Sequence, residues 1–129
     1  MKNHLFKTIR MSYDVQLYRV ETKTSEQQSN DADFFDHEEN LVPFTEQQFD
    51  YLKERLQKYG YVLHQNEDTE AHFTHPDYTI TVLLTDRGLY FSAGFGAESI
   101  FEAGMTASEF TDTEEFAKYD SQSTGWEEI

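Results

Sequence analysis

Residues 78–95, with the sequence YTITVLLTDRGLYFSAGF, carry the strongest structural signal in the chain. Apolar side chains occupy every second position over residues 78–84 and again over residues 89–95, which is the period of a strand with one buried face. Between the two runs, Thr85-Asp86-Arg87-Gly88 is typical of a tight turn, in which Gly88 can adopt a left-handed conformation. The stretch therefore predicts two adjacent antiparallel strands.

Upstream of this stretch, the sequence predicts a helix over residues 46–59. Thr45 and Gln48 have the spacing of a capping box, in which each side chain binds the free backbone N–H of the other residue. Pro43 prevents an earlier start, and Gly60 supplies a left-handed end. The helix would bury an apolar stripe made of Phe49, Leu52, Leu56 and Tyr59.

The remaining segments are assigned from the same two periods and from capping signals. Further strands are predicted at residues 13–20, 61–65, 71–74 and 99–103. A second helix is predicted over residues 107–119, because Thr106 and Glu109 have capping-box spacing, as do Thr111 and Glu114. Residues 21–33 are predicted to be a polar loop, since no apolar residue occurs between Glu21 and Asn30.

This order of elements predicts an α+β fold. Consecutive strands joined by tight turns favour a mainly antiparallel sheet, here of four to six strands, with both helices packed on one face. The length of 129 residues favours one domain, which we place at residues 11–129. Residues 1–10 are basic and lie before the first patterned segment, so we expect a leader, an alternative start or a disordered arm.

Composition excludes several classes of function. The absence of cysteine rules out disulfides, thiolate zinc sites and a cysteine nucleophile. No apolar run is long enough for a membrane-spanning helix, and the basic start lacks the apolar core of a secretory signal, so we expect a cytoplasmic protein. The formal net charge of −15 argues against nucleic acid or an anionic membrane as the main partner, because both repel acids.

No pattern of catalytic or metal-binding residues is present, so we expect a protein without enzymatic activity, metal or cofactor. His72 and His75 would lie on opposite faces of a strand, which prevents shared metal ligation. Gly94-Phe95-Gly96 is a lone Gly-x-Gly motif, and the sequence predicts no helix after it, as a dinucleotide site would need. A bend at a strand end is the simpler interpretation.

The acids are concentrated in two blocks. Residues 21–50 hold nine acids against Lys23, and residues 98–129 hold nine against Lys118, a net charge of −8 each. Such blocks either keep a surface soluble or steer a cationic partner towards it. The first candidate binding patch is Asp31, Asp33, Phe34, Phe35, Asp36, Glu38 and Glu39. The second is Asp112, Glu114 and Glu115. Phe34 and Phe35 would be either aromatic anchors for a partner or core residues.

Several segments taken together resemble a group of small acidic bacterial proteins. They are SYDVQLYRVET at 12–22, DFF at 33–35, EENL at 38–41, PFT at 43–45, LYFSA at 89–93 and GMTASEF at 104–110. The resemblance spans residues 11–127. We associate the group with the immunity proteins of contact-dependent growth inhibition and related polymorphic toxin systems.

This resemblance implies a non-enzymatic protein that binds and neutralises the toxin domain made by its own cell. Many such toxins are nucleases, whose basic clefts an acidic protein can occupy. The group shares no motif that assigns roles to single residues. The alternative is a general acidic interaction or regulatory module, including a mimic of nucleic acid, and an enzyme is less favoured.

Overall fold

The computed structural model of the chain describes residues 12–94, 96–122 and 125–128. The elements are β1 (Ser12–Arg19), α1 (Val20–Gln28), two 3-10 turns (Phe34–Asp36 and Glu38–Asn40), α2 (Glu46–Lys58), β2 (Val62–Glu67), β3 (Glu70–Thr74), β4 (Ile80–Thr85), β5 (Leu89–Gly94), α3 (Ala97–Glu109), β6 (Phe116–Asp120) and β7 (Gly125–Trp126). The strands form one antiparallel sheet in the order β2-β3-β4-β5-β1-β6-β7. Within these residues the single α+β domain has seven strands, one more than the upper limit of the prediction, and three α-helices instead of two. The predicted leader at residues 1–10 lies outside the described residues.

The two central strands confirm the prediction from residues 78–95. Strands β4 and β5 pair from Ile80 opposite Ala93 to Leu84 opposite Leu89, and every second side chain is buried. Thr85 closes the turn: its backbone N–H donates to the carbonyl of Gly88 at 2.8 Å. Strand β1 is inserted between β5 and β6, so the first strand of the described residues lies inside the sheet rather than at an edge.

The main core lies between one face of the sheet and the helices α2 and α3. The larger buried side chains of this layer are Leu17, Phe44, Phe49, Leu52, Leu56, Tyr61, Phe73, Ile80, Leu84, Leu89, Phe91, Phe110 and Phe116. Helix α2 begins as predicted, since both hydrogen bonds of the capping box between Thr45 and Gln48 are present. Its last residue is Lys58, and Gly60, two residues later, has a φ of +95°. Helix α2 packs one side against the sheet, which is why its apolar residues recur at every third or fourth position.

A second, smaller core covers part of the opposite face. Tyr18, Phe34, Leu41, Ala117 and Trp126 are buried there, with Phe35 and Tyr119 packed against them. The 3-10 turns supply the covering side chains, because Phe34 and Leu41 lie at the two ends of that segment. On strands β3 and β4 the same face carries His72, Thr74, Thr81 and Leu83, none of which is buried.

Residues 20–28 form helix α1, so the predicted loop at residues 21–33 is wrong over most of its length. The segment has no apolar stripe, and polar contacts hold it instead. Thr22 is fully buried, and its hydroxyl accepts a hydrogen bond from the backbone N–H of Val42 at 2.9 Å. Glu26 accepts one from the indole N–H of Trp126 at 2.9 Å. Glutamate, lysine and glutamine also have good helix propensity.

The C-terminal predictions are wrong in type. Helix α3 occupies residues 97–109, where a strand at 99–103 and the start of a helix were expected, and residues 116–120 form β6 instead of a helical turn. Thr106 lies inside α3, and its hydroxyl donates to the carbonyl of Glu102 rather than capping a helix. Glu114 has a φ of +67°, a conformation that does not continue a right-handed helix.

Candidate functional site

The first predicted patch surrounds the two 3-10 turns. Its five acids, Asp31, Asp33, Asp36, Glu38 and Glu39, are all exposed. Phe34 is only 4% exposed, and the half-buried ring of Phe35 packs on Tyr119 at 4.6 Å and on Tyr18 at 5.3 Å between ring centroids. Of the two interpretations of these phenylalanines, the structure supports the core role. Contact with a partner stays a prediction for the acids around them.

The second predicted patch lies where the end of α3 meets α2. The guanidinium of Arg55 donates to both carboxylate oxygens of Asp112 at 2.8 and 2.9 Å, and this pairing lowers the pKa of Asp112 below its ordinary value. Glu115 accepts from the side-chain amide of Gln48 at 2.9 Å, and Glu114 is exposed. The carboxylate of Asp112 is therefore paired with a cation, whereas that of Glu115 contacts a neutral amide next to the start of α2.

A third acidic surface, which the sequence analysis did not identify, lies at one end of the sheet. The turns between β2 and β3 and between β4 and β5 are both at this end, next to the start of α2. The backbone N–H of Phe44 donates to the carbonyl of Asp86 at 2.8 Å, and this bond holds the second turn against the segment before α2. The hydroxyl of Thr85 accepts from the backbone N–H groups of Arg87 and Gly88, which orders the turn itself.

Two grooves border this turn. One, of about 580 Å³, lies between α2 and the β2–β3 turn, and the other, of about 490 Å³, lies between the β4–β5 turn and the first 3-10 turn. Thr69 and Asp86 line both. Eight exposed acids line the pair of grooves, and we call them the acidic rim: Asp36, Glu38, Glu46, Asp50, Glu67, Asp68, Glu70 and Asp86.

The acidic rim has little compensating charge. The bases that line the two grooves are Lys53 and Arg87, so eight acids against two bases leave a formal charge of −6. Arg87 is turned inwards: its guanidinium donates to the backbone carbonyls of Glu38 and Leu41 at 3.1 and 2.8 Å. The ammonium of Lys53 donates to the side-chain oxygen of Asn66. Arg87 also lies 3.9 Å from the carboxylate of Glu38 and so partly balances that acid, whereas Lys53 is held by a neutral side chain.

The negative charges of these acids affect the pKa of a neighbouring phenol, that of Tyr90. Burial raises the pKa of Tyr90, which lines the second groove, and the negative charges of Glu38 and Asp86 raise it further. A surface that disfavours one more negative charge favours a positive one. The arrangement can therefore attract lysine and arginine side chains of a partner.

The acidic rim joins the two predicted patches. Asp36 and Glu38 belong both to the rim and to the first patch. Thr45 lines the 580 Å³ groove and also a third groove, of about 410 Å³, to which Glu115 of the second patch contributes. The sequence did contain a signal for the rim, because the turns at residues 66–70 and 85–88 belong to alternate connections of one antiparallel sheet. Such turns lie at the same end.

The described residues supply little for other chemistry. Within residues 12–94, 96–122 and 125–128, no three histidine, aspartate or glutamate side chains are grouped so that they could hold a metal ion. His64 contacts the hydroxyl of Thr74 at 2.6 Å, and His72 lies 3.3 Å from Glu70. In the same part of the chain, no helix has the length and apolarity of a membrane span.

The prediction that no helix follows the Gly-x-Gly motif is wrong. Gly94 ends β5, and α3 begins at Ala97 directly after Gly96. The order strand, glycines, helix is nevertheless not that of a dinucleotide site, because β5 has antiparallel neighbours on both sides. Glu98 also lies in the first turn of α3, where its charge repels phosphate.

Comparison with known proteins adds no relative: no family model, no curated protein and no solved structure matches the chain. The class of protein is therefore described from the fold and the surface alone. It is a small antiparallel α+β protein whose acidic rim surrounds two grooves at one end of the sheet.

Proposed function

We propose that this protein is a non-enzymatic immunity protein, which acts in the cytoplasm and neutralises a basic toxin domain by covering its functional surface. The observation that carries the proposal is the acidic rim, where eight acids from four separate segments meet around two grooves. The resemblance of the sequence to toxin-immunity proteins supports the same role. A partner of opposite charge would be steered to this end of the molecule by long-range attraction.

The physical form of the rim supports binding rather than mere solubility. A surface that serves solubility alone typically carries dispersed charges of both signs, whereas this end of the sheet concentrates one sign around concave surfaces. The rim is also rigid at its centre, because the turn at Asp86 is bonded to the chain at Phe44 and Arg87 anchors it to Leu41. A pre-ordered surface loses less conformational entropy on binding.

Co-expression with the candidate toxin domain, which is to be sought in the genes next to this one, tests the proposal. The wild-type protein should restore growth, and the two purified proteins should form a stoichiometric complex. A triple variant of the rim, Asp50→Asn, Asp68→Asn and Asp86→Asn, should slow association by about tenfold at low salt with a smaller effect at high salt.

The matched control is a second triple variant with the same change in net charge. Glu54→Gln, Asp77→Asn and Glu128→Gln neutralise three exposed acids that do not line the rim grooves. Equal loss of association rate in the two variants would show that net charge, and not the rim, attracts the toxin. Absence of both protection and binding in the wild type would refute the immunity role. A pull-down that recovers a polymerase, nucleoid protein or repressor would favour the regulatory alternative.

A further inference from the structure

Helix α3 is oriented with its small side chains towards the core. Ser99, Ala103, Thr106 and Ala107 are its buried residues. Ile100 is partly buried and packs against the core, whereas Phe101 and Met105 point the other way: Phe101 is 67% exposed and Met105 is 37% exposed. This orientation lets α3 lie close to the sheet, but it leaves an aromatic ring and a thioether in water.

The two exposed side chains form one patch. Residues four apart on a helix are neighbours, so Met105 lies one turn from Phe101 on the same face. In the described part of the chain, the large apolar side chains of high exposure are Tyr51, Val62, Phe101 and Met105. Phe101 is the most exposed of the four. Core packing does not explain why a phenylalanine occupies this position, because a ring in water contributes little to the core.

Glutamates make one side of this patch negatively charged, whereas the ammonium of Lys118 lies near its other side, where it donates to the hydroxyl of Ser108 at 3.0 Å and lies 3.7 Å from Glu127. Glu98 precedes Phe101 by three residues, Glu102 follows it directly, and Glu109 lies one turn beyond Met105. The helix contains no lysine, arginine or histidine. Glu109 is held in place, since its carboxylate accepts a hydrogen bond from the hydroxyl of Tyr59 at 2.5 Å. An apolar centre bordered by polar or charged side chains is the usual composition of a protein-binding surface.

We propose that the outer face of α3, centred on Phe101 and Met105, is a second docking surface, which takes a basic amphipathic segment of a protein partner. Apolar side chains of that segment would cover Phe101 and Met105, and its lysine or arginine side chains would pair with the glutamates. A second copy of this chain fits poorly, because it would place glutamate against glutamate. The identification of this partner as the toxin rests on the proposed function.

A peptide titration tests the surface without the toxin. The probe is a short helical peptide of lysine and leucine, and the reference is a lysine and serine peptide of equal length and charge. The full-length protein carries methyl-labelled methionine, so that the Met105 resonance reports binding by NMR. The lysine–leucine peptide should shift this resonance in a saturable way. Phe101→Ser should weaken its affinity by about tenfold or more, as truncation of a central aromatic does.

Two controls separate this result from unfolding and from non-specific attraction. Phe101→Ser should leave the thermal midpoint within a few degrees of the wild type, because the ring is exposed. Val62→Thr alters another exposed apolar residue, on β2, and should leave peptide affinity unchanged. The lysine–serine peptide should bind at least about tenfold more weakly, since it lacks the apolar contacts.

Three results would overturn the proposal. They are unchanged affinity in Phe101→Ser, equal affinity for the two peptides, and a concentration-dependent dimer of the wild type that Phe101→Ser converts to a monomer. The last result would make a second copy the occupant. The growth assay remains independent: protection without peptide binding at α3 would refute this surface alone, and peptide binding without protection would refute the immunity role alone.

Discussion

Replacement of Phe34 with alanine should destabilise the protein by about 3 kcal/mol. The ring is 4% exposed and packs edge-on against Phe35 with 5.3 Å between centroids. Truncations of buried phenylalanine cost about 3–5 kcal/mol, and the lower end applies because the second core is small. With about 2.1 cal/mol/K of unfolding entropy per residue, a chain of this length should lose roughly 11 °C in its thermal midpoint.

Urea unfolding followed by fluorescence measures this loss, because the single tryptophan, Trp126, is buried in the same core as Phe34. Phe101→Ala is the matched control: it removes an equal ring from an exposed position and should change stability by less than about 0.5 kcal/mol. A loss below about 1 kcal/mol in Phe34→Ala would contradict the core role of this ring. It would return Phe34 to the partner-binding interpretation.

Three further predictions concern the polar and backbone features of the fold. Asp112→Asn should cost about 0.5–1 kcal/mol near neutral pH, as measured by urea unfolding. Pairing with Arg55 lowers the folded pKa of Asp112, so this contribution is present above the ordinary value of 3.8 and the difference from wild type should shrink as the pH falls below it. Thr45→Ala removes the cap that binds the N–H of Gln48 at 3.0 Å and should cost about 1 kcal/mol in the same assay. Gly60→Ala should lower the thermal midpoint by a few degrees, because its φ of +95° costs an L-residue roughly 1–2 kcal/mol, although an added Cβ would meet no atom closer than 3.7 Å.

The sequence predicted the elements whose signals are local and complete. Helix α2 has a capping box at its start, a regular apolar stripe and a glycine at its end, and all three appear in the structure. The β4–β5 hairpin combines strict alternation with a turn that Thr85 can close through its own hydroxyl. In both cases local preference and burial favour the same conformation, so no distant contact is needed to predict it.

Helices α1 and α3 were missed because their stabilising contacts are distant in sequence. Helix α1 has no apolar face, and Thr22 and Glu26 attach it to residues 20 and 100 positions away. Helix α3 buries small residues and exposes Phe101, so the usual search for large apolar residues on the inner face fails. Only the sheet surface against which α3 packs makes alanine and threonine the appropriate inner side chains.

The charge of the molecule shows the same dependence on topology. Along the chain, residues 51–97 are nearly neutral, with a net charge of −2, and the two flanking blocks hold most of the excess of acids. The sheet nevertheless brings Glu67, Asp68, Glu70 and Asp86 from this neutral part to one end, next to Asp36 and Glu38 from the first block. Lys53 and Arg87, the bases that line the same grooves, offset two of the eight negative charges of the rim, and Arg87 lies 3.9 Å from Glu38. Charge summed over sequence windows therefore underestimates the acidic rim, and the hairpin turns are the positions at which its charge is best tested.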